Sequence, residues 1–329
     1  MKLSEIISRL EAKFPKQNAE SWDNVGFLVG NKNNDIKKIQ ISLDVTSKVI
    51  DEAIKNKVDL IISHHPLIFS AIKEINTDSL IGEKILKLIE NKISVYSLHT
   101  NLDSSKFGLN EFIGEKLGFF DGKIIDPIKE SFYRGEVYTK ENIEEELKKE
   151  KLDFRIEKLE NIYKNIIVSE KNKIYSVVEK LKRKLLVEEV FIFELDNKFS
   201  NKGIGRIYSL KEKKKILEIV KMVKEKLELD NLKVSGYDLE NTEIKKIAIV
   251  NGAGSSYWKK AKRMGANLLI TGDLKYHEAL DAKEEGMYII DVGHYESEYF
   301  FHEIIKDVLE DLQEIHISVF NDEPAMKYL

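Results

Sequence analysis

The stretch KIQISLDVTSKVIDEAIKNKVDLIISHHPLIF, residues 38–69, decides the architecture. Its outer parts, KIQISLD and VDLIIS, are short apolar runs rich in β-branched residues, which predict strands. The segment between them, VTSKVIDEAIKNK, carries its apolar side chains at helical spacing. Parallel strands need a crossover of about this length, usually a helix, so strand, helix and strand form one parallel unit. The second strand then runs into His64 and His65, directly before Pro66. Proline donates no ladder hydrogen bond and biases the residue before it away from the helical region, so the strand ends at the histidine pair. Successive side chains on a strand point to opposite faces, and two adjacent imidazoles can serve one site only where the strand stops and the chain turns.

The same grammar continues on both sides. SLIGEKILKLIENK predicts a helix, and ISVYSLHTNLD a strand that ends at His99 and Asp103. Near the C-terminus, KKIAIV, YWKKAKRMG, ANLLITGD, KYHEALDAKEEG and MYIIDVGHYESE alternate strand and helix again. Laying ISVYSLH over MYIIDVGH sets His99 opposite His294, either as an internal repeat or as ordinary alternation. Alternation of this kind predicts an α/β fold with a mostly parallel sheet covered on both faces, whose sites collect beyond the carboxyl ends of the strands. Between the halves the order becomes βαββαβ, an inserted ferredoxin-like (α+β) module at 126–202 that contains no histidine and suits regulation or assembly. Residues 1–125 and 203–329 are expected to form the two halves of the α/β domain, with 203–240 returning through a turn and a long amphipathic helix.

Composition narrows the chemistry. The chain has 329 residues and no cysteine, which excludes disulfides and thiolate ligands and leaves any metal to histidine and carboxylate. Glu5 and Arg9 interrupt what would have to be a signal-peptide core, while Leu3, Ile6, Ile7, Leu10 and Phe14 fall at helical spacing. No uncharged apolar run approaches the roughly 18 residues of a membrane span, so a soluble cytoplasmic protein without membrane contact is expected. With 53 basic against 57 acidic residues, nothing announces a nucleic-acid binder.

The residues at strand exits are His64, His65, His99, Asp103, Asp273, His294 and Glu298. If a helix opens at His294, then His294 and Glu298, four apart, share a face. Three histidines with two carboxylates can give nitrogen to each of two divalent ions and oxygens to bridge them, a set that suits Zn, Mn, Fe or Co. His302 and His316 are read as ordinary polar residues, and His277 as a helix residue that lies either near the pocket or on the surface. NGAGSS (251–256) is a short glycine-rich connector or a phosphate cradle.

The segments ESWDNVGFLVG (20–30), SHHP (63–66), HTNLD (99–103), GLNEFIGEKLGF (108–119), GIGR (203–206), NGAGSS, ITGDLKYHEA (270–279) and VGHYESE (292–298) together resemble the GTP cyclohydrolase I type 2 homologues, or NIF-three-like dinuclear-metal proteins. The resemblance implies metal ligation by His64, His65, Asp103, His294 and Glu298, carboxylates shared between two ions, and His99 close by. It also implies a two-lobed α/β/α domain with mostly parallel sheets, a homohexameric ring and a small-molecule substrate that resembles a nucleotide. His99 is then the candidate for proton transfer, since histidine titrates near neutrality. The expected function is a metal-dependent hydrolase. The alternatives are a phosphoesterase acting on nucleotides or other phosphate esters and a metal- or ligand-sensing ring without catalysis.

Overall fold

Residues 38–63 form the parallel crossover that their pattern predicts. In the computed structural model, which describes residues 1–128, 132–150, 152–184, 186–195 and 202–327, the strand Lys38–Ser42 leads through the helix Ser47–Lys55 to the parallel strand Leu60–Ser63. The helix starts because the Thr46 hydroxyl accepts a hydrogen bond from the Val49 N–H, satisfying one of the orphan donors of the first turn. It buries Val49, Ile50 and Ala53 on one face. It stops at Lys57, which turns the chain with a φ of 54°.

The chain divides into two compact units, Met1–Pro127 with Asn201–Leu329, and Ile128–Ser200. In chain order the strands before the second unit are β1 (Gly26–Val29), β2 (Lys38–Ser42), β3 (Leu60–Ser63), β4 (Ser94–Ser97) and β5 (Lys123–Pro127). Those of the second unit are β6 (Phe132–Thr139), β7 (Asp153–Lys158), β8 (Tyr163–Glu170) and β9 (Glu189–Leu195). The remainder are β10 (Gly203–Lys215), β11 (Lys233–Ser235), β12 (Glu243–Ile249), β13 (Leu268–Thr271), β14 (Tyr288–Asp291) and β15 (His316–Val319).

The larger unit holds two sheets, ordered β1-β4-β3-β2-β15 and β11-β14-β13-β12-β10-β5. Their plans match. In each, three parallel strands joined by helices (β2, β3, β4 and β12, β13, β14) carry one antiparallel strand on the same flank, β1 or β11. The superposition of His99 on His294 therefore has a topological counterpart, since β4 and β14 occupy the same place in the two sheets.

Alternation along these strands builds three cores. Ile39, Ile41, Leu60, Ile62, Tyr96, Ile247, Ile249, Leu268, Ile270 and Ile290 belong to one cluster shared by both sheets. The intervening Ile61 and Val95 face a cluster on the first sheet, and Ala248, Leu269 and Ile289 one on the second. Strands buried on both faces read as continuous apolar runs, and each fully buried Ile or Leu contributes roughly 1.5–3 kcal/mol relative to exposure. That rigidity holds the strand exits in place. No described helix is long and apolar enough to cross a membrane.

The smaller unit orders its four antiparallel strands β7-β8-β6-β9, with the helices Glu144–Lys149 and Lys171–Arg183 in the ferredoxin-like sequence. Val137, Ile167, Ile174, Val177, Val178 and Leu181 form its own core. One expectation changes. Residues 203–215 are not a turn but a long strand, because antiparallel pairing of 203–207 with β5, and of 206–209 and 214–215 with β12, overrides the weak strand propensity of the lysine-rich end.

Candidate metal centre

Alternation continues past Ser63 and separates the two histidines. His64 follows Leu60 and Ile62 inward, is fully buried, and lies with its ring 5.2 Å from that of Phe301. His65 takes the other direction, and the two imidazole centroids are 5.1 Å apart. β4 delivers His99 and, one short helix later, Asp103. β14 delivers Gly293, whose φ of 95° turns the chain into the helix His294–Glu298. All five expected metal ligands and His99 lie at these exits in the larger unit.

Each of the four imidazoles is tied back through Nδ1. The partners are the Leu98 carbonyl for His64 (2.7 Å), Asp44 for His65 (2.8 Å), Asp23 for His99 (2.9 Å) and Asp273 for His294 (2.7 Å). Carbonyl and carboxylate oxygens accept, so Nδ1–H donates and, in the neutral ring, the Nε2 lone pair is left for the centre. Asp23 is itself fixed, accepting from the Thr100 N–H (3.1 Å) and hydroxyl (2.5 Å).

The free nitrogens converge on Glu298. Its Oε2 is 2.9 Å from His65 Nε2 and 3.1 Å from His294 Nε2, and those nitrogens are 3.2 Å from each other. Two ligands at about 2.0–2.1 Å from one zinc-like ion, subtending about 90–110°, are themselves about 2.9–3.4 Å apart, so this triangle has the dimensions of a coordination face. The other oxygen, Oε1, is 3.6 Å from His64 Nε2, which in turn is 3.9 Å from Asp103 Oδ2. One carboxylate thus faces two half-sites, His65 with His294 and His64 with Asp103. His64, His65 and His99 form a second group whose potential ligand atoms lie within 4.8 Å of one another.

His64 Nε2, Asp103 Oδ1 and Glu298 Oε2 are buried without a hydrogen-bond partner. The 2.9 Å approach of His65 to Glu298 Oε2 is an ion-pair distance that lacks hydrogen-bond geometry. Unsatisfied buried polar groups each cost about 1–3 kcal/mol, more when charged, and several meeting at one point are what a cation would satisfy. The donor set therefore fits divalent metal.

Charge tells the same story. Burial opposes protonation of His65, but the hydrogen bond to Asp44 and the nearby charge of Glu298 outweigh it and hold its pKa up at about 10. The carboxylate of Glu298 beside it, against burial, raises His294 to about 9. Burial would raise Glu298, yet the neighbouring His64, His294 and His65 hold it well below the usual carboxylate range, whereas burial dominates at Asp103 and raises it. The metal-free centre attracts protons where a cation would sit.

The glycine-rich turn has its own role here. Gly252 has a φ of 59°, and a Cβ on it would lie 2.2 Å from Glu298 Oε1. Its N–H donates to Ser297 Oγ at 2.9 Å, and Ser297 donates to the His294 carbonyl at 2.7 Å. Asn110 joins the halves, accepting from the Asn251 N–H and donating to the Asp103 carbonyl. NGAGSS thus supports the carboxylate.

Of the remaining expectations, His277 is exposed against Tyr276 and outside the cluster, because it sits on the outer side of the helix Tyr276–Glu284. His302 hydrogen-bonds the Tyr299 carbonyl and His316 is exposed on β15. Asp273 does belong to the site, through His294. Two partners were missed: Asp44, which follows β2 as plainly as His64 follows β3, and Asp23, which precedes a strand and carries no comparable signal. A cavity of about 710 Å³ opens on His65 and His294, rimmed by Lys233, Lys275 and Lys327.

The profile of the family described as Duf34/NIF3 (NGG1p interacting factor 3) matches residues 1–324. A Clostridium perfringens protein named GTP cyclohydrolase 1 type 2 homolog is 37% identical over 299 residues, 91% of this chain and 87% of its own. Among solved structures, a Bacillus cereus protein related to NIF3 is 27% identical with a TM-score of 0.83, covering 100% of this chain and 99% of that one. A Staphylococcus aureus protein is 28% identical with a TM-score of 0.85 over the same shares.

Proposed function

The chain belongs to the Duf34/NIF3 family, and from that premise we propose that it holds two divalent ions on His64, His65, Asp103, His294 and Glu298 and uses them as a hydrolase. The observation that carries the reading is the division of Glu298 between two histidine half-sites, with Nε2 lone pairs aimed at it and no partner for the buried Oε2. Bound there, the ions would acidify water enough to attack near neutral pH and would stabilise the charge that develops on the substrate. Zn, Mn, Fe and Co all suit a nitrogen and carboxylate donor set.

The chain's own residues supply the rest. Asp44, Asp273 and the Leu98 carbonyl lock three imidazoles in the ligating tautomer. Asp23 does the same for His99, whose Nε2 can pass a proton beside the half-site of His64. The substrate reading is a nucleotide-like molecule, as the name of the Clostridium relative suggests. A pair of divalent ions suits phosphoester hydrolysis equally, and that is the second reading. The protein is further proposed to assemble as a hexamer, which light scattering checks directly: a monodisperse monomer that still holds its ions contradicts it.

The functional test is a panel of nucleotides and phosphate esters offered to metal-loaded protein. Activity should vanish on chelation and return on reloading. Formate released with loss of purine absorbance supports hydrolysis of a nucleotide's ring, the first reading, and inorganic phosphate supports the second. Fully loaded protein that releases neither overturns the hydrolase.

A further inference from the structure

Trp22 and Phe69 are exposed aromatic rings, 57% and 54% accessible, with centroids 5.8 Å apart. Both meet His99, at 6.1 Å and 6.5 Å, and the ring of His99 meets that of His64 at 5.2 Å. The two rings therefore form the outer wall of the centre on the side of His99.

Their exposure is held in place by the backbone on either side. Asp23, next to Trp22, is pinned by its hydrogen bonds to His99 and Thr100. Asn24 donates through Nδ2 to the carbonyl of Ile68 at 2.6 Å, tying this turn to the residue before Phe69. Leu67 and Ile68 pack against the first sheet's outer core. Large rings kept in water at fixed positions gain nothing for folding, whereas a flat π-surface joined to a metal centre is a stacking platform. Their interplanar angle of 52° suits a planar guest lying on one ring with its edge toward the other.

From this geometry we infer that Trp22 and Phe69 bind the planar heteroaromatic ring of the substrate and hold it over His99. The inference rests on the metal-hydrolase reading for the reacting end of the ligand, but the platform is a separate element. Trp22 and Phe69 are positioning residues, since neither touches the reacting atoms.

The test uses intrinsic fluorescence. The chain has two tryptophans, and Trp258 is 2% exposed, so the difference between wild type and Trp22→Phe isolates the emission of Trp22. Guanosine 5′-monophosphate, uridine 5′-monophosphate and nicotinate are titrated against ribose 5-phosphate, which keeps the phosphate and lacks the ring. At least one ring-bearing probe should quench Trp22 while ribose 5-phosphate does not. Trp22→Ala should weaken that probe about 5- to 150-fold, the fold-change of one aromatic stack, with Trp22→Phe retaining most of the affinity. Metal content, measured on the same samples, should not change, which separates the platform from the centre. Ring-dependent quenching by protein that takes up no metal even under excess would support the platform while refuting the hydrolase. The inference is overturned if all four probes behave alike, if Trp22→Ala binds as wild type does, or if iodide cannot reach Trp22 in the native assembly. The last result would mean that a second copy of the chain covers the rings.

Discussion

Gly252→Ala perturbs the Glu298 carboxylate without replacing any of the proposed ligands. The new Cβ would sit 2.2 Å from Glu298 Oε1, whereas real Cβ contacts do not fall below 3.0 Å, so the carboxylate or the turn must move by at least about 0.8 Å. Functional constellations tolerate only about 0.5 Å of misplacement. The backbone adds a second cost, because φ is 59° there and a side chain in that region costs about 1–2 kcal/mol. For a unit of this size that corresponds to a fall in Tm of about 2–8 °C, leaving the protein folded. Metal affinity should fall about 10- to 100-fold, the usual effect of disturbing a ligand's support. Competition with a chromophoric chelator, alongside thermal unfolding of the metal-free protein, reads both. A folded variant that binds both ions as tightly as wild type would refute the claim that Glu298 is held in place by this glycine.

Metal uptake should release protons. His65 and His294, raised to about 10 and 9, are protonated near neutrality in the metal-free centre and must lose those protons to ligate. Apparent affinity should therefore climb by up to about two log units per pH unit below pH 9 and flatten above about 10; affinity independent of pH over that range would contradict it. The same raised values stabilise the metal-free fold fully below pH 6.5 and are lost as pH rises through about 9 to 10, so urea midpoints should drop across that window only without metal. Glu298→Ala should lose both ions and His302→Ala neither, as elemental analysis will show. His99→Ala should lower turnover by about 10²- to 10⁴-fold with metal content nearly unchanged. Loss of an ion instead would make His99 a ligand.

Much of this centre is legible because it lies at the ends of buried strands. The strands Leu60–Ser63 and Ser94–Ser97 are buried on both faces and carry no charged residue, so a histidine or aspartate just beyond them stands out. His294 and Glu298 could be paired by spacing alone, because a helix begins where the strand ends. Asp44 obeyed the same rule and could have been chosen with them. Asp23 could not, since it reaches His99 across 76 positions of sequence from a turn before β1. The purpose of Gly252 was equally hidden, because close approach to Glu298 depends on how the two halves meet. Gly203–Lys215 was misread because its composition is that of an exposed segment, and only its pairing on both sides makes it a strand.

The most direct test of the central claim is anomalous X-ray scattering from metal-loaded crystals, scanned across the absorption edge. Two peaks per chain about 3.5–4 Å apart are expected, one bounded by His64 and Asp103, the other by His65 and His294, with Glu298 between them. A single peak under excess metal, or two peaks that do not share Glu298, would contradict the dinuclear centre.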